Sequence, residues 1–596
     1  MGNEAIARGL IEAGCSVATG YPGTPSSEIM ESLAKWKKEL GHRAYLEWSI
    51  NEKVAFEVAY GASLAGARSA VTMKMVGLNV ASDAYLSATY LGVRGGMVLI
   101  VADDPGPHSS QTEQDSRFFA WLAKAPAFDP STPVEALEMI KRAYEISERY
   151  EIPVMLRPCL RVCHSRQNVT LSEPNQIADL GPFKKNWPRW AAIPKFRLAL
   201  HGELNKKLQK MSIEEADCSP HLIHEGKSNK LAIITSGSVA SHVLDTVREE
   251  DQFRDLKIFK LSMPFPANRA ALQAIVDGHE RTLVIEETYP VIELQVDDKR
   301  KLAGRLSGLV PSQGELTPEV VEDLILQAMG EPIRVRPEVQ INARRPSLCA
   351  GCPHRPSFFM LRKVFDKGIY PGDIGCYTLG INMGAVDTCL CMGASIGMAS
   401  GLTHAPDGNE SPAVVATIGD STFFHAGIPA LINAVHTKTS FTLILMDNSL
   451  TAMTGGQPTP ASMNLVDGSA ANPVDIENLI RACGVGFIEV VDPYDYDSLK
   501  GSFERSYDYS VKKSLGVSVI ITRRPCIRAK GIVLSTDRYE VLENCERCMT
   551  CVRDLECPAI SFVKESKKVV IDPDSCSGCG FCVNVCPCGA IVKKVL

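Results

Sequence analysis

Apolar and polar positions along the chain fall into successive blocks. From residue 1 to 165, short β-rich apolar runs alternate with helical stretches. Ser16–Thr19 leads into Tyr21-Pro22-Gly23-Thr24-Pro25-Ser26-Ser27 and then an amphipathic run from Glu28 to Trp36. Ala70–Met75, Met97–Ala102 and Val154–Arg157 read as buried strands. Apolar strands separated by helices predict a parallel sheet with helices on both faces. Residues 166–228 are rich in Pro, Lys and Trp and lack a clear period, which predicts a linker with one helix. The α/β pattern restarts over 229–332, with Leu231–Thr235, a Gly-Ser turn, a helix and Thr282–Ile285. A proline-bearing linker over 332–346 precedes a third α/β unit at 347–534, and a cysteine-rich tail fills 535–596.

Composition narrows the class. A chain of 596 residues is long enough for about three or four domains, each with its own core. The net charge of −6 gives no reason to expect nucleic acid or an acidic membrane as partner. No apolar run approaches the ~18 residues of a membrane span. The opening Met1-Gly2-Asn3-Glu4 has no basic-then-apolar leader, so a cytoplasmic location is expected. In that compartment, 20 cysteines imply metal rather than disulfides, and an anaerobic setting.

The tail carries Cys545-x2-Cys548-x2-Cys551-x5-Cys557-Pro558, then Cys576-x2-Cys579-x2-Cys582-x3-Cys586-Pro587. Zinc sites take four ligands, typically in two pairs, which fits two runs of three poorly. The pattern resembles a bacterial two-cluster ferredoxin. By that resemblance Cys545, Cys548, Cys551 and Cys586 hold one [4Fe–4S] cluster, and Cys576, Cys579, Cys582 and Cys557 hold the other. Five residues separate Cys551 from Cys557, where the bacterial pattern has three. Cys588 is a ninth thiol without a role.

In the third unit, Val414–Ile418 is a strand ending in Gly419-Asp420-Ser421. A helical run covers Gly427–Val435, and Phe441–Met446 is a strand ending in Asp447-Asn448. Asp420 and Asn448 are thereby expected at the carboxyl ends of parallel strands, where ligands bind in open α/β sheets. A carboxylate plus an amide oxygen suits Mg²⁺, which keeps phosphate and water in its other positions. The spacing resembles the diphosphate motif of thiamine diphosphate enzymes, with Ser421 in place of a second glycine. The resemblance assigns Asp420, Asn448 and the carbonyl of Leu450 to Mg²⁺, and Gly419, Ser421 and Thr454 to the cofactor. The following Thr454-Gly455-Gly456-Gln457 is similar to the 2-oxoacid:ferredoxin oxidoreductases, which combine thiamine with iron–sulfur clusters.

Thiamine catalysis needs a carboxylate at the aminopyrimidine ring. The run Ile50–Ala62 reads as a helix with Glu52 in its first turn, and it resembles the family's glutamate-bearing helix. Glu52 takes that role, with Glu47 and Glu57 as rivals; a glutamate favouring the helix N-terminus would look the same. Thr24, expected to cap a helix with Pro25 at its first position, is a candidate substrate contact. In the polar loop 103–117, Arg117 or His108 is a candidate holder of a substrate carboxylate. Cys349-x2-Cys352, Cys376 and Cys526 stand where the family ligates a third [4Fe–4S] cluster; Cys389 and Cys391 stay unexplained.

Matching motifs run in order through the chain: Trp48-Ser49-Ile50-Asn51-Glu52-Lys53, Ala102–Gln111, Cys349–Arg355, Gly372–Tyr377 and Gly419–His425. They resemble the catalytic subunits of the indolepyruvate branch of the family. The resemblance implies an α/β thiamine diphosphate-binding fold of two doubly wound parallel-sheet domains, with a transketolase C-terminal-like domain and a two-cluster ferredoxin-like domain. It implies oxidative decarboxylation of aryl pyruvates such as indolepyruvate, with coenzyme A taking the acyl group and ferredoxin the electrons. A smaller β subunit in an α2β2 assembly is expected. The alternatives are a non-oxidative thiamine-dependent decarboxylase and a non-catalytic iron–sulfur electron-transfer subunit.

Overall fold

The computed structural model describes residues 1–175, 183–337, 345–405 and 412–594. The chain forms two compact units, Met1–Val339 and Gln340–Leu596.

The first unit is built on two sheets. Strands β1 (Val17–Gly20), β2 (Tyr45–Trp48), β3 (Ser69–Lys74), β4 (Met97–Ala102), β5 (Ala127–Phe128) and β6 (Val154–Leu156) are ordered β2-β1-β3-β4-β6-β5. All pairs are parallel. The central strands are buried on both faces, which explains their unbroken apolar runs. On one face, Val71, Met73, Leu99 and Val101 pack with Phe56, Leu78 and Tyr85 from helices Glu52–Leu64 and Met75–Leu91. Helix Gly2–Glu12 packs against helices Ser27–Leu40 and Pro133–Tyr150.

The second sheet comprises β7 (His221–His224), β8 (Leu231–Thr235), β9 (Lys257–Lys260), β10 (Arg281–Ile285) and β11 (Leu302–Ala303), in the order β11-β10-β8-β9-β7. Its pairs are parallel except β7, which runs antiparallel to β9. The stretch 166–228 is therefore more than a linker with one helix. Its described part holds helices Trp187–Trp190 and Pro194–Glu214 and ends in an edge strand. His221 and Leu222 are exposed, so β7 has no apolar alternation to betray it.

Buried charges bridge the two sheets of this unit. The Arg117 guanidinium, wholly buried, pairs with Asp115 at 2.6 Å and with Asp129 and Glu286 at 3.3 Å. It also donates to the carbonyls of Glu287 and Tyr289. Arg157, equally buried, pairs with Asp103 at 2.7 Å and Asp129 at 3.3 Å. Arg117 is thus committed within the protein and does not face a substrate, contrary to the expectation from its loop. Carboxylates outnumber guanidiniums here, and burial pushes Glu286 and Glu287 up to about 7.

The second unit carries a four-stranded parallel sheet of β12 (Val415–Gly419), β13 (Thr442–Asp447), β14 (Phe487–Val491) and β15 (Ser518–Arg523), ordered β12-β13-β15-β14. Alternate residues feed two cores. Ala416, Ile418, Leu443, Leu445 and Val519 face one, and Val415, Ile444, Met446 and Ile520 face the other. The tail adds two antiparallel pairs, β16 (Tyr539–Val541) with β19 (Ile591–Lys593) and β17 (Ile560–Val563) with β18 (Lys568–Ile571).

Two outcomes follow for the first unit. Arg117→Met strands Asp115 and Glu286, leaves Asp129 with Arg157 alone, and lowers unfolding free energy by about 3–5 kcal/mol, while KM for substrate in the folded fraction stays unchanged; a raised KM would return Arg117 to the substrate. Glu286 has its folded pKa raised above the unfolded value. Its contribution is complete below pH ~4.5 and is lost as pH rises through about 7. Glu286→Gln should therefore flatten the fall of the urea midpoint between about pH 5 and about pH 8.

Candidate functional site

In the second unit, β12 delivers Asp420 and β13 delivers Asp447-Asn448 at their carboxyl ends. Asp420 opens a helical run that continues through a π-turn at Phe423–Gly427 into helix Ile428–His436. Its carboxylate is buried, and Oδ2 has no hydrogen-bond partner among the described residues. Burial, then the Asp447 charge, pushes Asp420 well above the usual carboxylate range. A buried acid with an orphaned oxygen is unstable as an anion unless a cation meets it. The residues therefore fit a divalent ion. Asn448 Oδ1 accepts from the Leu450 amide at 3.1 Å, and Nδ2 lies 3.0 Å from His354 Nε2. Burial drives His354 down to about 4, so its ring is neutral at physiological pH. Ser449, at φ +63°, turns the chain so that the Asn448 side chain and the Leu450 backbone meet. Ser421 Oγ sits 2.8 Å from Thr451 Oγ1, which ties the two strand-end loops together. Thr454 donates to Gln457 Oε1 at 2.6 Å, and Thr451 bridges Gln457, so the Thr-Gly-Gly-Gln segment is a closed turn.

A cavity of about 480 Å³ opens beside this pair. Its walls include Asn448, Leu450 and His354 together with Cys349, Cys352, Cys376 and Cys526. Burial pushes Cys352 up to about 12 and Cys376 to about 11; the sulfurs acting on Cys376 are those of Cys526 and Cys349. Cys389 and Cys391 are exposed and do not line this cavity.

In the tail the thiols fall into two groups. Cys557, Cys576, Cys579 and Cys582 line one cavity. Cys551, raised to about 11 chiefly by burial, has Cys586, Cys548 and Cys545 as its charged neighbours. Cys588 Sγ lies 3.6 Å from Cys586 Sγ. Among the described residues no three His, Cys, Asp or Glu are grouped to hold a single metal ion. Thiolates on separate irons of a cubane stand further apart than ligands of one ion. The thiolate, not the thiol, is the metal ligand, so metal taken up at these cavities would release the thiol protons.

The tail is pinned to the cysteine loop of the α/β domain. Arg355, buried, donates to Leu348 O at 2.6 Å and to Leu555 O at 2.8 Å, and also to Glu556 O just before Cys557. Tyr494 donates to the Gly351 carbonyl. Gly351, at φ +70°, approaches Ser577 so closely that a Cβ would collide with its hydroxyl. Cys352 lines both the 480 Å³ cavity and the Cys557–Cys582 cavity. His354 and Arg355 were within the quoted cysteine motif, but their partners are distant in sequence, so only the fold exposes their work.

In the first unit, helix Glu52–Leu64 is capped by Asn51, whose side chain accepts from Val54 N at 2.9 Å. Glu52 is buried and lies against Gly77 in the first turn of helix Met75–Leu91, where any side chain would collide with it. Its rivals are less secluded: Glu47 is half-buried and accepts from Tyr45 and Ser49, and Glu57 is exposed and pairs with Lys53. Thr24 is not a helix cap. The helix begins at Ser27, Ser26 donates to Gly23 O at 2.8 Å, and Gly23 N donates to Ser27 Oγ. Thr24 is left half-buried on the loop at the end of β1. His108 is half-exposed and lies 3.1 Å from Glu315.

Comparison with known proteins identifies the domains and the family. Residues 8–198 match the thiamine diphosphate-binding domain of pyruvate flavodoxin/ferredoxin oxidoreductases. Residues 373–520 match the C-terminal TPP-binding domain of thiamine pyrophosphate enzymes, and residues 569–592 a 4Fe-4S binding domain. Among solved structures, a 2-oxoglutarate:ferredoxin oxidoreductase from Magnetococcus marinus aligns with 55% of this chain and 64% of its own, at 16% identity and TM-score 0.45. The indolepyruvate oxidoreductase subunit IorA of Thermococcus kodakarensis is 40% identical, covering 98% of this chain and 95% of the relative. That of Methanothermobacter thermautotrophicus is 40% identical over 99% of this chain and 96% of its own length. With one motif set running the full length of both chains, this protein belongs to the IorA family of indolepyruvate oxidoreductase subunits.

Proposed function

We propose that the chain is the catalytic subunit of an enzyme that converts an aryl pyruvate such as indolepyruvate, with coenzyme A and two oxidised ferredoxins, to aryl-acetyl-CoA, carbon dioxide and two reduced ferredoxins. The observation that carries this reading is the shared cavity: Asn448 and Leu450, beside the buried Asp420, border the same space as four cysteines. A diphosphate site next to a cluster site suits a reaction that withdraws electrons where carbon dioxide leaves. Bound thiamine diphosphate supplies the electron sink for decarboxylation. Asp420, Asn448 and the Leu450 carbonyl hold Mg²⁺ on the diphosphate, with Gly419, Ser421 and Thr454 around it. Glu52 holds a proton at the N1′ position of the aminopyrimidine, in a buried setting that strengthens the interaction. The three cysteine foursomes would hold [4Fe–4S] clusters, which would carry electrons one at a time, and Cys352 lines both the thiamine-side cavity and the Cys557–Cys582 cavity. Asp420 serves metal rather than protonation, because burial disfavours its anion until a cation is present. The chain works with a smaller β subunit, in an α2β2 assembly, and in the cytoplasm. Among the described residues no helix is long and apolar enough to cross a membrane.

Anaerobic protein with its partner subunit should reduce ferredoxin or a viologen dye with indolepyruvate only when thiamine diphosphate and coenzyme A are both present. Release of aldehyde and carbon dioxide with the dye still oxidised, clusters being intact, would instead establish the non-oxidative decarboxylase. Asp420→Asn should lose bound thiamine diphosphate on gel filtration while keeping its iron content. Arg355→Met should keep thiamine binding and substrate KM but slow dye reduction, and should weaken the magnetic coupling between reduced clusters in electron paramagnetic resonance. Unchanged coupling would show that the clamp does not set cluster spacing.

A further inference from the structure

A 2-oxoacid brings a carboxylate that has to be met by a cation, and the first unit offers few. Arg117 and Arg157 are consumed by buried acids. Arg161 and His108 are both engaged by Glu315. Lys74 differs from all of them. It is the last residue of β3, at the carboxyl edge of the sheet, and its side chain is buried, with a relative exposure of 8%. Its ammonium donates to Ser109 O at 2.6 Å and lies 3.2 Å from Ser109 Oγ. Among the described residues no carboxylate lies within ion-pairing distance of it. Asp104, the nearest acid acting on it, is occupied by Ser109 N at 2.8 Å and Ser110 Oγ at 2.6 Å.

A buried ammonium without a counter-ion is costly and is retained where an anion arrives. An ammonium has three donors, and Ser109 takes two at most. The surroundings belong to the site. The stem of Lys74 runs beneath Gly23, beside Thr24, and Ser109 Oγ lies 3.5 Å from Thr24 O. Lys74 also opens helix Met75–Leu91, whose first turn carries Gly77 against Glu52. Burial lowers the ammonium to about 8, the direction expected of a cation without a partner acid.

We propose that Lys74 binds the carboxylate of the 2-oxoacid substrate, in the role that the polar loop suggested for Arg117 or His108. The assignment rests on the reading of the chain as a 2-oxoacid oxidoreductase. Ser109 then orients the ammonium, and Thr24 stands at the same strand-end edge.

The test uses the full chain with its partner subunit and two readouts. Equilibrium dialysis with indole-3-propionate, which has the carboxylate but no keto group, is compared with 3-methylindole, which has no carboxylate. Lys74→Met should weaken indole-3-propionate binding roughly 10- to 100-fold and leave 3-methylindole unchanged. KM should rise for whichever 2-oxoacid is turned over, and Lys74→Arg should restore most of the affinity. Lys74→Gln keeps a donor for Ser109 but lacks the charge, so it covers the case in which Lys74→Met fails to fold. Equal indole-3-propionate affinity in wild type and a folded charge-less variant overturns the proposal. If wild type turns over no 2-oxoacid yet binds indole-3-propionate in a Lys74-dependent way, the reaction assigned above fails and the carboxylate site stands.

Discussion

A charge taken out of water has to be met by an opposite charge, and this constraint separates scaffold from site throughout the chain. Arg117 and Arg157 are wholly buried, and each pairs with buried carboxylates from within the protein. They tie the two sheets of the first unit together. Asp420 is also buried, but one of its oxygens has no hydrogen-bond partner among the described residues. Lys74 is buried, and among the described residues its ammonium donates to Ser109 and pairs with no carboxylate. Unanswered charges of this kind cost stability in the isolated chain, and the cost is recovered when a cation or an anion binds. The cavity cysteines are a related case, since burial raises the thiols of Cys352 and Cys551 and a bound metal would favour their thiolates.

How much of this was legible in the sequence depends on whether the signal was local. Strands buried on both faces announce themselves as apolar runs, so β3, β4, β8, β12 and β13 fall within a residue or so of the pattern. Edge elements do not: β2 and β7 expose part of their length and carry mixed sequences. The strand-end position of Asp420 and Asn448 follows from local spacing, because each ends an apolar run. The grouping of Cys349, Cys352, Cys376 and Cys526 around one cavity could be suspected only by resemblance, since three separate segments supply the four.

Arg117 shows why a loop arginine is hard to judge from sequence. Its neighbours Asp115 and Ser116 make the segment look solvent-facing, yet the acids that bury it come from as far away as Glu286. Lys74 falls inside the apolar run Ala70–Met75, which marks it as buried but does not show what covers it; the loop 103–115 folds back over it through Ser109. Both environments are set by long-range packing that no window of the sequence contains.

The same reasoning explains why the tail has to be held and not merely tethered. A ferredoxin-like domain on a free linker would bury its own core and leave the distance to the α/β domain undetermined. Here the Arg355 guanidinium, itself in need of acceptors once buried, finds them in the carbonyls of Leu348 on one side and Leu555 on the other. Satisfying one buried cation therefore fixes the spacing of two cysteine loops. Gly351 lets those loops approach to contact with Ser577, and Cys352 becomes a wall common to both cavities. The spacing of the two cysteine loops is set by a hydrogen-bonding requirement, and a lysine at 355, a point donor without the planar fork, could not satisfy both sides with the same geometry.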